Sequence, residues 1–180
     1  MKIAITGHSA GIGQALAKVY QSRGHEIVGL SRRNGFNIRS TPKVVEQIEP
    51  CDMFINNAQV GYAQTELLFD VAKRWKGSRK TIINISTAMT QYPLSSLPGV
   101  EMMEYRLQKV ALEEAVKQLR HAQYGIRLII VRPGVVKTQP DQQDGMDPDI
   151  WAREMIDIID RNQSWIDDVT IHSMRKFNDS

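Results

Sequence analysis

The segment Thr6-Gly7-His8-Ser9-Ala10-Gly11-Ile12-Gly13 constrains this chain more than any other stretch. It follows a short apolar run, Met1-Lys2-Ile3-Ala4-Ile5, with the character of a strand. It opens onto residues 12–22, where apolar side chains recur at helical spacing. A glycine-rich turn at a strand-to-helix junction lets an anion approach the unpaired N–H groups at the helix N-terminus, where the dipole also favours negative charge. Glycine is needed because side chains at those positions would block the approach or the packing of helix on strand.

The same alternation continues along the chain. Residues 3–5, 26–30, 53–56, 81–85 and 127–131 are mostly apolar on both alternating faces, which predicts parallel strands covered on both sides. Between them, residues 12–22, 42–48, 66–75 and 102–123 carry helical periodicity, with Gly24 and Gly125 at two of the expected helix ends. Strand and helix in strict alternation predict an α/β fold: a doubly wound parallel sheet, Rossmann-like, joined by right-handed crossovers. A single domain is expected over 1–174, with 175–180 as a loose tail. After Pro133-Gly134 the polar residues 139–146 read as a loop. Asp147-Pro148 then reads as an N-cap with proline in the first turn. The helix it starts runs to about Asp160 along a stripe of Trp151, Met155, Ile158 and Ile159, and a last strand is expected over 165–171.

The net charge is +3, and basic residues gather at Arg32-Arg33, over 73–80 and at Arg175-Lys176. This reads as a solvated surface with one anion site, and no nucleic-acid partner is expected. No apolar run is long enough for a bilayer, so no membrane partner is expected. His8, His25, His121 and His172 have no ligand spacing with one another or with Cys51, so no metal is expected. The lone cysteine suits a reducing, cytoplasmic setting.

The glycine spacing resembles Thr-Gly-x-x-x-Gly-x-Gly, the fingerprint of the short-chain dehydrogenase/reductase family, and differs from the Gly-x-Gly-x-x-Gly of many other dinucleotide binders. The resemblance implies that Gly7, Ser9, Ala10, Gly11, Ile12 and Gly13 cradle a cofactor pyrophosphate. At the end of the second strand, NAD-binding proteins place an acid on the ribose hydroxyls. Here Ser31 stands there, followed by Arg32 and Arg33. A hydroxyl and a guanidinium offer donors to a 2′-phosphate, which favours NADP(H) over NAD(H). Asn37 and Ile38 fall where the family holds the adenine. Asn56-Asn57-Ala58-Gln59 resembles the family's Asn-Asn-Ala-Gly after the fourth strand, with Asn57 and Ala58 backing the ribose.

Tyr105 and Lys109 form Tyr-x-x-x-Lys, two side chains on one helix face. An ammonium beside a phenol of ordinary pKa about 10 favours the phenolate and so tunes a proton donor. By the family's Asn-x-Ser-Ser, the segment Asn84-Ile85-Ser86-Thr87 assigns the substrate oxygen to Thr87, with Ser86 as the alternative. Pro133-Gly134-Val135-Val136-Lys137-Thr138 resembles Pro-Gly-x-x-x-Thr and implies that Pro133, Gly134, Val136 and Thr138 hold the nicotinamide. No asparagine lies between Asn57 and Asn84, so the family's helix asparagine, which anchors a proton-relay water, has no match. The resemblance implies an NADP(H)-dependent oxidoreductase that moves a hydride between the nicotinamide and a small-molecule carbonyl or alcohol. The competing reading is a non-catalytic NADP(H)-binding sensor or scaffold. Nucleotide-sugar epimerisation would need a larger substrate region than the one after Thr138.

A homodimer is expected through the helix over 66–75, with its stripe of Leu67, Leu68, Val71 and Trp75. The helix over 102–123 adds Met102, Met103 and Leu107. Its Lys109–Glu113 and Glu113–Lys117 pairs are expected to mark the exposed side.

Overall fold

The computed structural model describes residues 1–93, 99–139, 144–161 and 165–173. Among them, six strands form one sheet: β1 (Lys2–Thr6), β2 (Glu26–Leu30), β3 (Met53–Asn56), β4 (Thr81–Ile85), β5 (Arg127–Pro133) and β6 (Asp168–Ile171). Every neighbouring pair is parallel, in the order β2-β1-β3-β4-β5-β6. Five α-helices connect them: α1 (Gly11–Ser22), α2 (Thr41–Ile48), α3 (Ala63–Arg74), α4 (Gly99–His121) and α5 (Pro148–Ile159).

The chain leaves β1 outward to β2 and returns to β3 on the other side of β1. The order therefore reverses between β1 and β3, and the crevice at their C-terminal ends is where open α/β sheets bind ligands. Relative to the 3-2-1-4-5-6 order of the dinucleotide-binding fold, no described strand lies beyond β2. The Asn56-Asn57-Ala58-Gln59 segment accordingly follows the third strand here, not a fourth.

Side chains alternate across the strands, as pleating requires. Ile3, Ile5, Ile55, Ile83, Ile129 and Val131 pack with Leu16, Trp151, Met155 and Ile156, on the α1 and α5 side. Ala4, Phe54, Ile82, Leu128 and Ile130 pack with Val44, Leu67, Val71, Leu112 and Val116, on the α2, α3 and α4 side. Asp147 caps α5 as expected, its carboxylate accepting from the N–H groups of Asp149 and Ile150.

Several boundaries move. α3 and α4 start earlier than the periodicity suggests, at Ala63 and Gly99. β5 continues to Pro133, and β6 is shorter than the expected 165–171. Trp165 lies outside it, 72% exposed, with the Arg127 guanidinium 5.0 Å from its ring. Part of the 139–146 stretch lies outside the described residues; Met146, at its end, bridges back to Val136. The tail over 175–180 and residue 174 also lie outside them.

Two expectations about helix faces are corrected. Leu67, Leu68, Val71 and Trp75 are all buried within the chain's own core, so that stripe is used up by the sheet beneath it. Lys109 and Glu113 are buried rather than exposed, at 3% and 7%. Their spacing with Leu112 and Val116 sets them on the core stripe of α4, and Lys117 pairs with Glu114 at the surface.

Candidate active site

The turn between β1 and α1 is built by backbone constraints. Gly7 and Gly11 have φ of +72° and +52°, in the left-handed region that favours glycine. A Cβ at Gly13 would collide with the Gly7 carbonyl, so α1 lies on the turn only because residue 13 has no side chain. Thr6 and Asn57 lock this turn to the end of β3. The Thr6 hydroxyl accepts from the N–H groups of Asn57 and Ala58 at 3.0 and 3.1 Å, and the Asn57 amide donates to the Thr6 carbonyl at 2.9 Å. No side chain caps α1 at Ala10 and no acid sits in its first turn. Gly13 is in the lining of neither of the two clefts formed here; it shapes the cradle from behind. The donors of an uncapped helix start and the room left by missing Cβ atoms fit a pyrophosphate.

Two clefts meet at Ala10, Ala58 and Gln59. The first, of about 300 Å³, is lined by Gly7 and Ser9, by Ser31, Arg32 and Arg33, and by Asn37 and Ile38. Asn34, which the sequence does not single out, organises its rim. Its side-chain oxygen accepts from the Ser31 N–H and hydroxyl at 2.8 and 3.1 Å, and its amide donates to the Gly29 carbonyl at 2.7 Å. This closes the 3-10 turn Arg32–Asn34, which projects both arginines outward. Arg33 reaches back to the Ser9 carbonyl at 3.4 Å, and Arg32 is exposed.

The second cleft, of about 620 Å³, is lined by Gly11, Ile12 and Asn57, by Ser86, Thr87, Tyr105 and Lys109, and by Pro133, Gly134, Val136 and Thr138. The residues expected to act are thus brought together, from the ends of β1, β3, β4 and β5 and from α4. Ser86 and Thr87 differ sharply. The Ser86 hydroxyl donates to Glu113 at 2.5 Å. Thr87 accepts from the Met89 N–H at 3.3 Å and lines the cleft together with Tyr105. Burial pushes the Tyr105 phenol up, against a smaller opposing pull from the Thr87 hydroxyl. The expected lowering by Lys109 is not seen: its ammonium lies 5.7 Å from the ring centroid and bonds elsewhere. Burial lowers the Lys109 pKa to about 7, partly offset by the charge of Glu113.

No protein-family model matches the chain, and no curated protein is significantly similar to it. Solved structures are similar in fold. A short-chain dehydrogenase from Burkholderia cenocepacia J2315, in complex with NADP, aligns with a TM-score of 0.76 and 15% identity over 96% of this chain and 88% of that chain. The 3-alpha-hydroxysteroid dehydrogenase from Pseudomonas sp. B-0831, complexed with NADH, gives 0.72 and 20% over 95% of each. An alcohol dehydrogenase from the archaeon Thermococcus sibiricus, complexed with 5-hydroxy-NADP, gives 0.73 and 17% over 97% of each. The fold is that of the short-chain dehydrogenases.

Within this dehydrogenase fold, two groups of residues beyond the expected set support the site. Gln64, buried on α3, accepts from the Lys109 ammonium at 2.8 Å. Glu113 receives Ser86, Thr90 at 2.9 Å, and both Nε and Nη2 of Arg132 at 2.9 and 2.6 Å. Arg106 donates to the carbonyls of Met89 and Thr90 at 3.0 and 3.2 Å. The turn that carries Thr87 is therefore held by two residues of α4. Arg132 also reaches Asp168 at 3.0 Å, tying this network to β6. Among the described residues, no helix is long and apolar enough to cross a membrane.

Proposed function

We propose that this chain is an NADP(H)-dependent oxidoreductase that interconverts a small carbonyl compound and its alcohol. The observation that carries the reading is the convergence of Thr87, Tyr105 and Lys109 on the one cleft that the glycine turn closes. Thr87 and Tyr105 hold the substrate oxygen between two hydroxyls. Ser86 is committed to Glu113, which leaves Thr87 as the substrate donor. Burial keeps Tyr105 a neutral phenol near neutral pH, the protonation state that can donate to a developing alkoxide. Bound NADPH supplies the hydride. Lys109 lies beside Tyr105 with one N–H left for the cofactor ribose.

Preference for NADP(H) rests on this chain's own residues, since the similar structures include complexes with NADP and with NADH. The exposed Arg32 lines the far cleft, where it presents a guanidinium to a 2′-phosphate, while Ser31, its hydroxyl donated to Asn34, leaves no acid there to repel it. A homodimer fits the apolar surface of α3 and α4, which pack together and expose Phe69, Leu107 and Val110. These replace the buried stripe as the surface available for pairing.

The test is NADPH oxidation across small ketones, aldehydes and keto sugars, with NADPH affinity measured separately by nucleotide fluorescence. Turnover that Tyr105→Phe abolishes while affinity is kept supports the reading. Tight NADPH binding with no turnover of any carbonyl or alcohol would favour a cofactor sensor instead.

A further inference from the structure

Every other buried residue of α3 is apolar, yet Gln64 is 2% exposed. An unpaired amide there would be costly, and this one is fully engaged. Its Nε2 donates to the Asn56 carbonyl at 2.6 Å and to the Ile85 carbonyl at 3.0 Å. Both acceptors are strand-end carbonyls, so they fix which way the amide points. Its oxygen can then face only the Lys109 ammonium, at 2.8 Å. Lys109 gives a second bond to the Ile85 carbonyl, also at 2.8 Å. An ammonium has three donors, so a single N–H remains.

We propose that Gln64 is the positioning residue for Lys109, its amide oxygen fixing the ammonium against β4 with one N–H turned to the cleft. This rests on the oxidoreductase reading for its catalytic meaning, though the contact itself exists without cofactor. The titratable groups that bear on the ammonium are Tyr105 and Glu113, both on α4. α3 and β4 meet it with the neutral Gln64 amide and the Ile85 carbonyl. The neutrality of residue 64 therefore helps set the pH at which Lys109 loses its charge.

A purely structural Gln64, pinning the Asn56 and Ile85 carbonyls, would behave differently from a positioning one. Gln64→Glu and Gln64→Met both remove the Nε2 donor, so a structural role predicts the same kind of loss from each. A positioning role predicts opposite electrostatic effects. A carboxylate favours the ammonium, and a thioether withdraws its acceptor. The measurement is a ¹³Cε-lysine NMR titration of the cofactor-free protein, with the Lys109 signal assigned by its absence in Lys109→Met. We expect the wild-type midpoint at about 7, raised by at least about one pH unit in Gln64→Glu and lowered in Gln64→Met. The pH profile of kcat should move in the same order. Identical midpoints would overturn the proposal. If Gln64→Met does not fold, Gln64→Glu against wild type decides alone. Shifted midpoints in a protein without turnover would uphold the positioning role while refuting the oxidoreductase reading.

Discussion

Replacing Lys109 by Met should make the protein more stable as it destroys activity, with a pH dependence fixed by the structure. Lys109 is fully buried, and burial draws its pKa from 10.5 to about 7. At roughly 1.4 kcal/mol per unit, that shift corresponds to a penalty on the order of 5 kcal/mol for keeping the ammonium in the fold. Methionine has a similar length and no charge. It leaves the Gln64 oxygen without its donor, a loss of roughly 1–3 kcal/mol. The net gain for Lys109→Met is about 2–4 kcal/mol below pH 7. The sign of the pH effect follows from linkage. Between pH 7 and 10.5 the unfolded chain holds a proton on Lys109 that the folded chain has released. Wild-type stability therefore rises with pH across that window, by up to about 1.4 kcal/mol per pH unit from this group, and the variant lacks the contribution. Urea unfolding of both proteins at pH 6.5, 7.5 and 9 measures the gap directly. It should be widest at pH 6.5, and by pH 9 it should narrow by about 2–3 kcal/mol. A constant gap at all three pH values would mean that Lys109 titrates as an ordinary surface lysine, and the argument from its burial would fail.

Arg32→Ala should weaken NADPH binding by about tenfold, a loss on the order of 1.4 kcal/mol, while leaving NADH affinity unchanged. Equal losses for both nucleotides in fluorescence titrations would remove Arg32 from the 2′-phosphate site. Glu113→Ala strips Arg132, Ser86 and Thr90 of their shared acceptor and should lower the unfolding free energy by about 3–5 kcal/mol. A change within about 0.5 kcal/mol, the range of ordinary surface substitutions, would contradict a buried pair. Gly13→Ala, whose added Cβ meets the Gly7 carbonyl, should reduce NADPH and NADH affinity alike by distorting the cradle. Unaltered binding of both would show that the turn tolerates a side chain. Phe69→Asp should convert the proposed dimer to a 20.4 kDa monomer by light scattering. A wild type that is already monomeric at every concentration rules the pairing out.

The glycine turn was legible because the requirement acts on the backbone: positive φ at Gly7 and Gly11 and the contact at Gly13 admit little but glycine. The cleft residues were legible for a related reason. A parallel sheet whose order reverses at β1 and β3 delivers the residues after each strand to one crevice, so motif segments at strand ends converge. Burial of charge was harder to see. Lys109 and Glu113 read as a surface pair, since α4 has charged residues on several faces. Their spacing with Leu112 and Val116 nevertheless places them on the buried stripe. Only the tertiary partner explains why charge is tolerated there, and Arg132 supplies it from β5, a strand otherwise apolar from Leu128 to Val131. Gln64 follows the same rule. Leu67, Leu68 and Val71 stand three, four and seven positions after it, all buried, which puts residue 64 on the core face of α3. A polar residue on such a face must find partners, and its partners here are two strand-end carbonyls and the site's ammonium. Polar residues on an otherwise apolar helical stripe were therefore the available signal for this second layer of the site, and identifying what they hold required the fold.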